Sequence, residues 1–244
     1  MTSSLAGFAQ VAAQGILSES STQLHVLGTY METADGRGYR YAKVGATATV
    51  AGKVYQGPAL DATNLQPSGG LTPSANVAIG GTEITISDSI TLTKNQLAGG
   101  YMSVVVTPGQ GYTYRVKSNT AVTSAAGAVV TLEDPLVIAI TTASNVIFAK
   151  HPYDGIVIEP GTPTARIAGV PNAIITEAYY GWVQTRGACA VLFVGSGAAG
   201  KVVGSLSGGT SGAMAPAIAA TNIGGEHMAT GITGEYSLVY LTIG

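Results

Sequence analysis

The sequence has few charged side chains. Lysine, arginine, aspartate and glutamate together make up 10% of the 244 residues, whereas about 25% is usual in a soluble globular domain. A chain that folds alone in water normally covers its surface with such residues. We therefore expect much of this surface to be buried against neighbouring subunits, or to present serine, threonine and glycine to solvent.

Cysteine and basic clusters are also scarce. The single cysteine, Cys189, excludes an intramolecular disulfide framework and a cysteine-based zinc site, and its apolar surroundings predict a buried thiol. The net charge is −2, and the eleven lysines and arginines are scattered along the chain. Without a basic patch, we expect no nucleic-acid partner.

Long apolar runs are missing as well. No segment of eighteen residues is continuously apolar, and residues 1–13 lack the basic and apolar regions of a secretory signal peptide. We therefore expect a chain that is neither secreted nor membrane-spanning and that has no membrane partner.

What the sequence does contain is typical of β-structure. Hydrophobic residues make up 46% of the chain, and 34 glycines separate short β-type runs at intervals of about ten residues. Helix-length periodic segments are nearly absent. The pattern predicts an all-β fold, a sandwich or barrel of short antiparallel strands with long glycine-rich loops at 51–75 and 195–235.

Two hairpins are the clearest elements. A turn at Asp35-Gly36 separates 24–30 from a strand over 39–44, and a glycine-containing loop joins 101–106 to 112–117. Further strands are predicted at 77–79, 82–86, 129–132, 136–141, 145–150, 155–158, 179–184, 188–194 and 236–243.

The composition along the chain also predicts the domain organisation. Residues 1–22 are small and polar without a helix signal, and we interpret them as an extended N-terminal arm. Residues 23–244 form the β-rich domain. A division of that domain into two modules, at about 23–150 and 151–244, is an open alternative.

No motif carries a coherent catalytic or cofactor site. Gly195-Ser196-Gly197-Ala198-Ala199-Gly200 has the spacing of a dinucleotide-binding turn, but neither a following helix nor an acid about twenty residues on is present. The three histidines, His25, His151 and His227, belong to no catalytic signature, and there is no cluster of metal-ligating residues. We predict no catalytic residue, no cofactor, no metal and no enzymatic activity.

Several residues are candidates for an interface. Tyr180 and Trp182 share one face of a predicted strand, and the only tryptophan is either a core anchor or an interface hot spot. Arg37, Arg40 and Arg186 are among the few cations, and either pair with acids of a neighbouring subunit or are simply solvated.

Five phrases of the sequence belong together: DGRGYRYAK at 35–43, LEDPL at 132–136, PYDGIVI at 152–158, GVP at 169–171 and YYGWVQTRG at 179–187. They resemble text found in structural proteins of tailed-phage particles. That resemblance implies a virion component, a head protein that decorates or cements the capsid, with a β-barrel or sandwich fold and no catalytic residues.

The expected function is therefore a non-enzymatic capsid decoration protein, present in many copies in a virion that assembles in the host cytoplasm. The expected partners are the major capsid protein and further copies of the chain, as a homo-oligomer. Two alternatives stay open: another virion part, such as a tail tube, fibre or major capsid subunit, and a carbohydrate-binding or adhesive β-module with Tyr101, Tyr112 and Tyr153 as stacking residues.

Overall fold

The computed structural model describes residues 14–205, 209–217 and 222–243. These residues form strands and turns and contain no helix, which confirms the all-β prediction. It follows that no helix in the described part is long and apolar enough to cross a bilayer. The strands are β1 (Tyr30–Glu32), β2 (Gly38–Val44), β3 (Tyr55–Gln56), β4 (Glu83–Ile86), β5 (Ile90–Leu92), β6 (Tyr101–Val106), β7 (Thr113–Asn119), β8 (Val122–Ala125), β9 (Ala128–Leu132), β10 (Asn145–Ala149), β11 (Asp154–Ile158), β12 (Ile167–Pro171), β13 (Tyr180–Leu192), β14 (Val202–Ser205), β15 (Ala215–Pro216), β16 (Asn222–His227) and β17 (Tyr236–Thr242).

The chain forms two compact units. One consists of the described residues up to Ala59 together with those from Pro152 onward, and the other is Leu60–His151. The open alternative of two consecutive modules, at about 23–150 and 151–244, assigns residues 23–59 to the same module as residues 60–150. In the structure, however, β2 lies within 23–59 and pairs with β11 and β13, so the first unit is discontinuous in sequence.

A closed ring of strands forms one half of the first unit. The pairing runs from β2 through β11, β3 and β12 to β13, which returns to β2; only the β11–β2 pair is parallel. Closure of this kind leaves no unpaired edge within the ring. Val44, Tyr55, Ile156 and Val183 are among its fully buried side chains.

A second ring forms the other half of the same unit and shares the long strand β13. From there the pairing passes through β17, β16 and β14 to β15, and Met214, directly before β15, pairs with Phe193, directly after β13. Val191, Phe193, Val203, Met214 and Val239 are fully buried together. The region predicted as a long loop at 195–235 therefore contributes three strands to this ring.

A bulge separates the two halves of β13. The pairing with β2 shifts register between Gln184 and Arg186, and Gly187 follows with a φ of 85°. An added Cβ at Gly187 would lie 3.0 Å from the Arg37 side chain, so both the backbone and the space favour glycine there. The bulge explains why the sequence predicts two strands, 179–184 and 188–194, where the structure has one.

The second unit is a smaller barrel. Its sheet has the order β10-β6-β7-β9-β4, and it includes the predicted hairpin of β6 and β7. Leu71 pairs with Val146 of β10 and Pro73 with Ile86 of β4, so residues 71–73 join the two edge strands. The predicted glycine-rich loop at 51–75 has little regular structure, but it contains the two-residue strand β3 and these bridging residues.

The start of the described chain packs on its own sheet. Gln14 is buried, its side-chain oxygen accepts a hydrogen bond from the Tyr41 hydroxyl at 3.0 Å, and its carbonyl accepts one from Trp182 Nε1 at 3.2 Å. Ser20 pairs with Tyr180. Residues 14–20 of the predicted arm therefore cover β13 of the same chain, and residues 1–13 lie outside the described part.

Candidate functional site

A row of large apolar side chains lies on the outside of the second ring. Along β17, Tyr236, Leu238 and Tyr240 are 51%, 43% and 41% exposed, whereas Val239 and Leu241 between and after them are fully buried. Successive side chains of a strand point to opposite faces. One face of β17 therefore fills the core and the other presents two aromatic rings and a leucine to solvent.

The neighbouring strands extend this row into a surface. On β13, Ala188, Ala190 and Leu192 lie opposite Tyr240, Leu238 and Tyr236. On the other side, the Met228 amide donates to the Leu238 carbonyl, and Glu226 lies opposite Tyr240 and Val202. We call this surface the outer strip; it consists of Ala188, Ala190, Leu192, Val202, Glu226, Met228, Tyr236, Leu238 and Tyr240.

Charge is confined to one end of the outer strip. Glu226 is its only ionisable acid, and Arg186 lies beyond Ala188 on β13, opposite Thr242. Hydrogen bonds from the Arg186 guanidinium to the hydroxyls of Tyr240 and Tyr30 raise the pKa of Arg186, which therefore remains a cation. The centre of the strip, around Leu238, carries no charged side chain.

A pocket of about 350 Å³ borders the strip where Tyr236 and Leu238 approach Arg37. Gln184, which is fully buried, donates from Nε2 to the carbonyls of Arg186 and Ala188 at 2.9 Å and accepts from Asn172 Nδ2 at 2.7 Å. These bonds satisfy the backbone groups that the bulge frees from the ladder. Gln184, held by Asn172, thus stabilises the bulge.

Cys189 lines this pocket and has an unreactive thiol. Its side chain is 5% exposed, and burial raises the pKa of the thiol to about 12. Only the thiolate is a good nucleophile. At neutral pH the buried thiol therefore stays protonated, as its apolar sequence context predicts.

The structure places two of the predicted interface residues inside the chain. Trp182 is 1% exposed; its ring packs at 5.0 Å from Tyr41 and 5.4 Å from His25. Tyr180 is half-buried and stacks on Tyr41 at 6.1 Å. For Trp182 this placement agrees with the core interpretation, because residues 14–20 cover the face that it shares with Tyr180.

The three predicted interface arginines make contacts within the chain. Arg37 pairs with Asp35 of the same turn at 2.7 Å, and hydrogen bonds from the Thr33 hydroxyl and from Arg37 lower the pKa of that carboxyl. Arg40 donates to the Gly28 carbonyl at 2.9 Å and lies over the Tyr30 ring. Of the three, Arg186 and Arg37 border the outer strip and its pocket. Their role at an interface stays a prediction.

The glycine motif at 195–200 forms a turn between strands. Gly197 pairs with Gly231, the Gly200 amide donates to the His227 carbonyl, and β14 follows where a dinucleotide site requires a helix. His227 packs on Phe193 at 4.3 Å. Within the described ranges, no group of three histidine, cysteine, aspartate or glutamate residues is placed to hold a metal ion.

Two of the three tyrosines considered for sugar stacking are exposed. Tyr101 and Tyr112 are 44% and 42% exposed, whereas Tyr153 is 5% exposed and belongs to a buried cluster. The proposed set of three stacking rings is therefore reduced to two.

One buried acid lies apart from the outer strip. Glu159 is 2% exposed, its backbone pairs with Val54 and Gly212, and its Oε1 has no hydrogen-bond donor among the described residues. Burial raises the pKa of Glu159, and the nearby Ser205 hydroxyl opposes that rise. The ionised carboxylate is therefore an unfavourable group in the folded chain.

Replacing Glu159 with glutamine is expected to stabilise the protein at neutral pH. Because the pKa is higher in the folded than in the unfolded state, the folded wild type binds more protons above about pH 4.3, and its stability falls as pH rises through the folded-state value. Glu159→Gln removes this loss. Urea unfolding between pH 4 and 8 should show a difference that grows with pH, whereas curves parallel to wild type would contradict it; exposed Glu235→Gln is the control.

The outer strip was not predicted from the sequence, although the strand that carries it was. The prediction of a strand at 236–243 is confirmed, but apolar residues occupy both of its faces. The one available signal is that Tyr236 and Tyr240 fall on the same face of the strand, since a tyrosine hydroxyl favours the side that reaches water.

Comparison of the chain with protein-family models, curated proteins and solved structures finds no match.

Proposed function

We propose that this chain is a non-enzymatic structural component of a virus particle, a decoration protein that binds the shell of a tailed-phage capsid in many copies. The outer strip is the observation that carries the proposal. It presents two aromatic rings, a leucine and a methionine side by side on the face of a rigid sheet. Contiguous exposed apolar surface of this kind marks an interaction site.

The rest of the surface supports an assembled state. Leu17, in the segment that covers β13, and Val26 are 62% and 61% exposed, and Ile174 in the turn before β13 is 69% exposed. Only 10% of the residues are charged. A lone subunit with this surface is prone to association, whereas in a lattice the neighbours cover it.

The closed sheets fit the same role. Both rings of the first unit and the barrel of the second return to their starting strands, so few strand edges are open to uncontrolled pairing. Association then depends on side-chain surfaces, which define a fixed geometry. The partners in this proposal are the major capsid protein and further copies of the chain.

The copy number of the chain in purified particles tests the proposal. Particles are purified from the infected host that produces the chain, and quantitative mass spectrometry compares it with the major shell protein. A decoration protein is expected in a number of the same order as the shell subunit. Absence from the particles, or presence in only a few copies, would overturn the proposal.

A further inference from the structure

The order of side-chain types along the centre of the outer strip is symmetric about its middle residue. Tyr236, Leu238 and Tyr240 give the order aromatic, aliphatic, aromatic on one face of β17. A two-fold axis that crosses the strand at Leu238 exchanges the two tyrosine positions. A surface with this property matches a second copy of itself, as an isologous interface requires.

We propose that the outer strip is the interface of a homodimer, in which a second copy packs face to face about a two-fold axis at Leu238. Leu238 then meets Leu238 of the other copy, and Tyr236 packs on Tyr240. The inference rests on the proposed function and deepens it, because it names a second copy as the neighbour that covers this face. Two sheet faces pack in this way at about 10 Å, with side chains interdigitating.

The exposed apolar side chains supply about half of the area that a standard dimer interface buries on each partner. Tyr236, Leu238, Tyr240, Met228 and Val202 are each 40–51% exposed, which at roughly 150–250 Å² for a large side chain gives about 400 Å² per copy. The alanines of β13, Leu192 and the charged end add a rim. The apolar part lies at the centre and the rim supplies further contact area, as in a standard interface.

The charges are compatible with this arrangement. Glu226 lies level with Tyr240, two residues from Leu238 along the strand. The two-fold axis moves the second Glu226 the same distance to the other side, so the carboxylates are about 13 Å apart along the strand direction. Arg186 is displaced further in the same way, so neither the two Glu226 side chains nor the two Arg186 side chains meet.

The first test is the mass of the purified chain in solution. Light scattering coupled to size-exclusion chromatography is expected to give twice the 24.5 kDa of one chain. Leu238→Glu places two carboxylates together at the axis without a partner and is expected to raise the dimer dissociation constant at least ~100-fold. Ile174→Glu, at a 69% exposed position outside the strip, is the matched control and should leave the dimer intact.

Chemical cross-linking tests the axis itself. A Leu238→Cys variant treated with a short bismaleimide should give a covalent dimer, because the axis brings residue 238 next to its own copy. Ile174→Cys should give none, and the buried Cys189 should contribute no background. A circular dichroism spectrum like that of wild type shows that each variant is folded.

Each outcome decides one proposal. A monomeric wild type, a trimer or larger ring, or a Leu238→Glu variant as dimeric as wild type would overturn the homodimer. A monomer that is nevertheless abundant in particles would leave the proposed function standing. A dimer that is absent from particles would overturn the proposed function and leave the homodimer standing.

Discussion

Replacing Trp182 with alanine is expected to lower the free energy of unfolding by about 3–5 kcal/mol. The indole is 1% exposed, packs against Tyr41 and His25, and donates from Nε1 to the Gln14 carbonyl. Its removal leaves a cavity between β13 and the segment that covers it, and also leaves the Gln14 carbonyl without its donor. Few other single side chains combine so much volume with so many contacts in this unit.

Urea unfolding followed by far-ultraviolet circular dichroism measures this loss, because Trp182 is the only tryptophan and its fluorescence disappears with it. Ile174→Ala, at a surface position, should change stability by less than about 0.5 kcal/mol. If Trp182→Ala were as mild as this control, the indole would not be a core anchor, and the interface interpretation would regain support.

Replacing Phe148 with alanine is expected to cost about 3–5 kcal/mol in the second unit. Phe148 is fully buried on β10, opposite Met102 of β6, in the cluster that fills the small barrel. A barrel of this size has little room to collapse around the missing ring. Thermal unfolding should therefore show a clearly lower midpoint for Phe148→Ala.

The matched control in the same unit is Ile79→Ala, since Ile79 is 68% exposed. Its melting temperature should stay close to that of wild type. Equal shifts for the two variants would mean that the cluster around Phe148 does not hold the barrel together.

Local sequence signals predict the strands that alternate cleanly. The run Tyr112–Lys117 places Tyr114 and Val116 on one buried face, and the structure contains β7 there. The run after Asp35-Gly36 forms β2 as predicted, although apolar side chains are buried on both of its faces. These elements need only a turn of known chemistry and a period of two. The prediction of an all-β barrel or sandwich depends on the same two features.

Local sequence signals do not predict the strand pairings that close the rings. β3 is two residues long, lies in a glycine- and proline-rich stretch, and pairs with β11 and β12 from a hundred residues later in the chain. Residues 71–73 join β10 to β4 in the same way. Short segments of this kind are held by partners remote in sequence, so composition suggests a loop.

The candidate site shows the same division. The sequence identifies Trp182 as either a core anchor or an interface residue. The structure shows that residues 14–20 of the same chain cover it. The outer strip depends on which face of β17 the second ring encloses, and that is decided by β13, β16 and β14 together. An apolar strand with two apolar faces does not reveal its exposed side.

A density map of the assembled particle tests the central claim most directly. Electron cryomicroscopy of particles from the producing host should show this all-β fold repeated regularly on the shell, with the outer strip of each copy covered by its two-fold mate. Density for the chain at a single position, such as the tail, or a shell surface without it, would contradict the account.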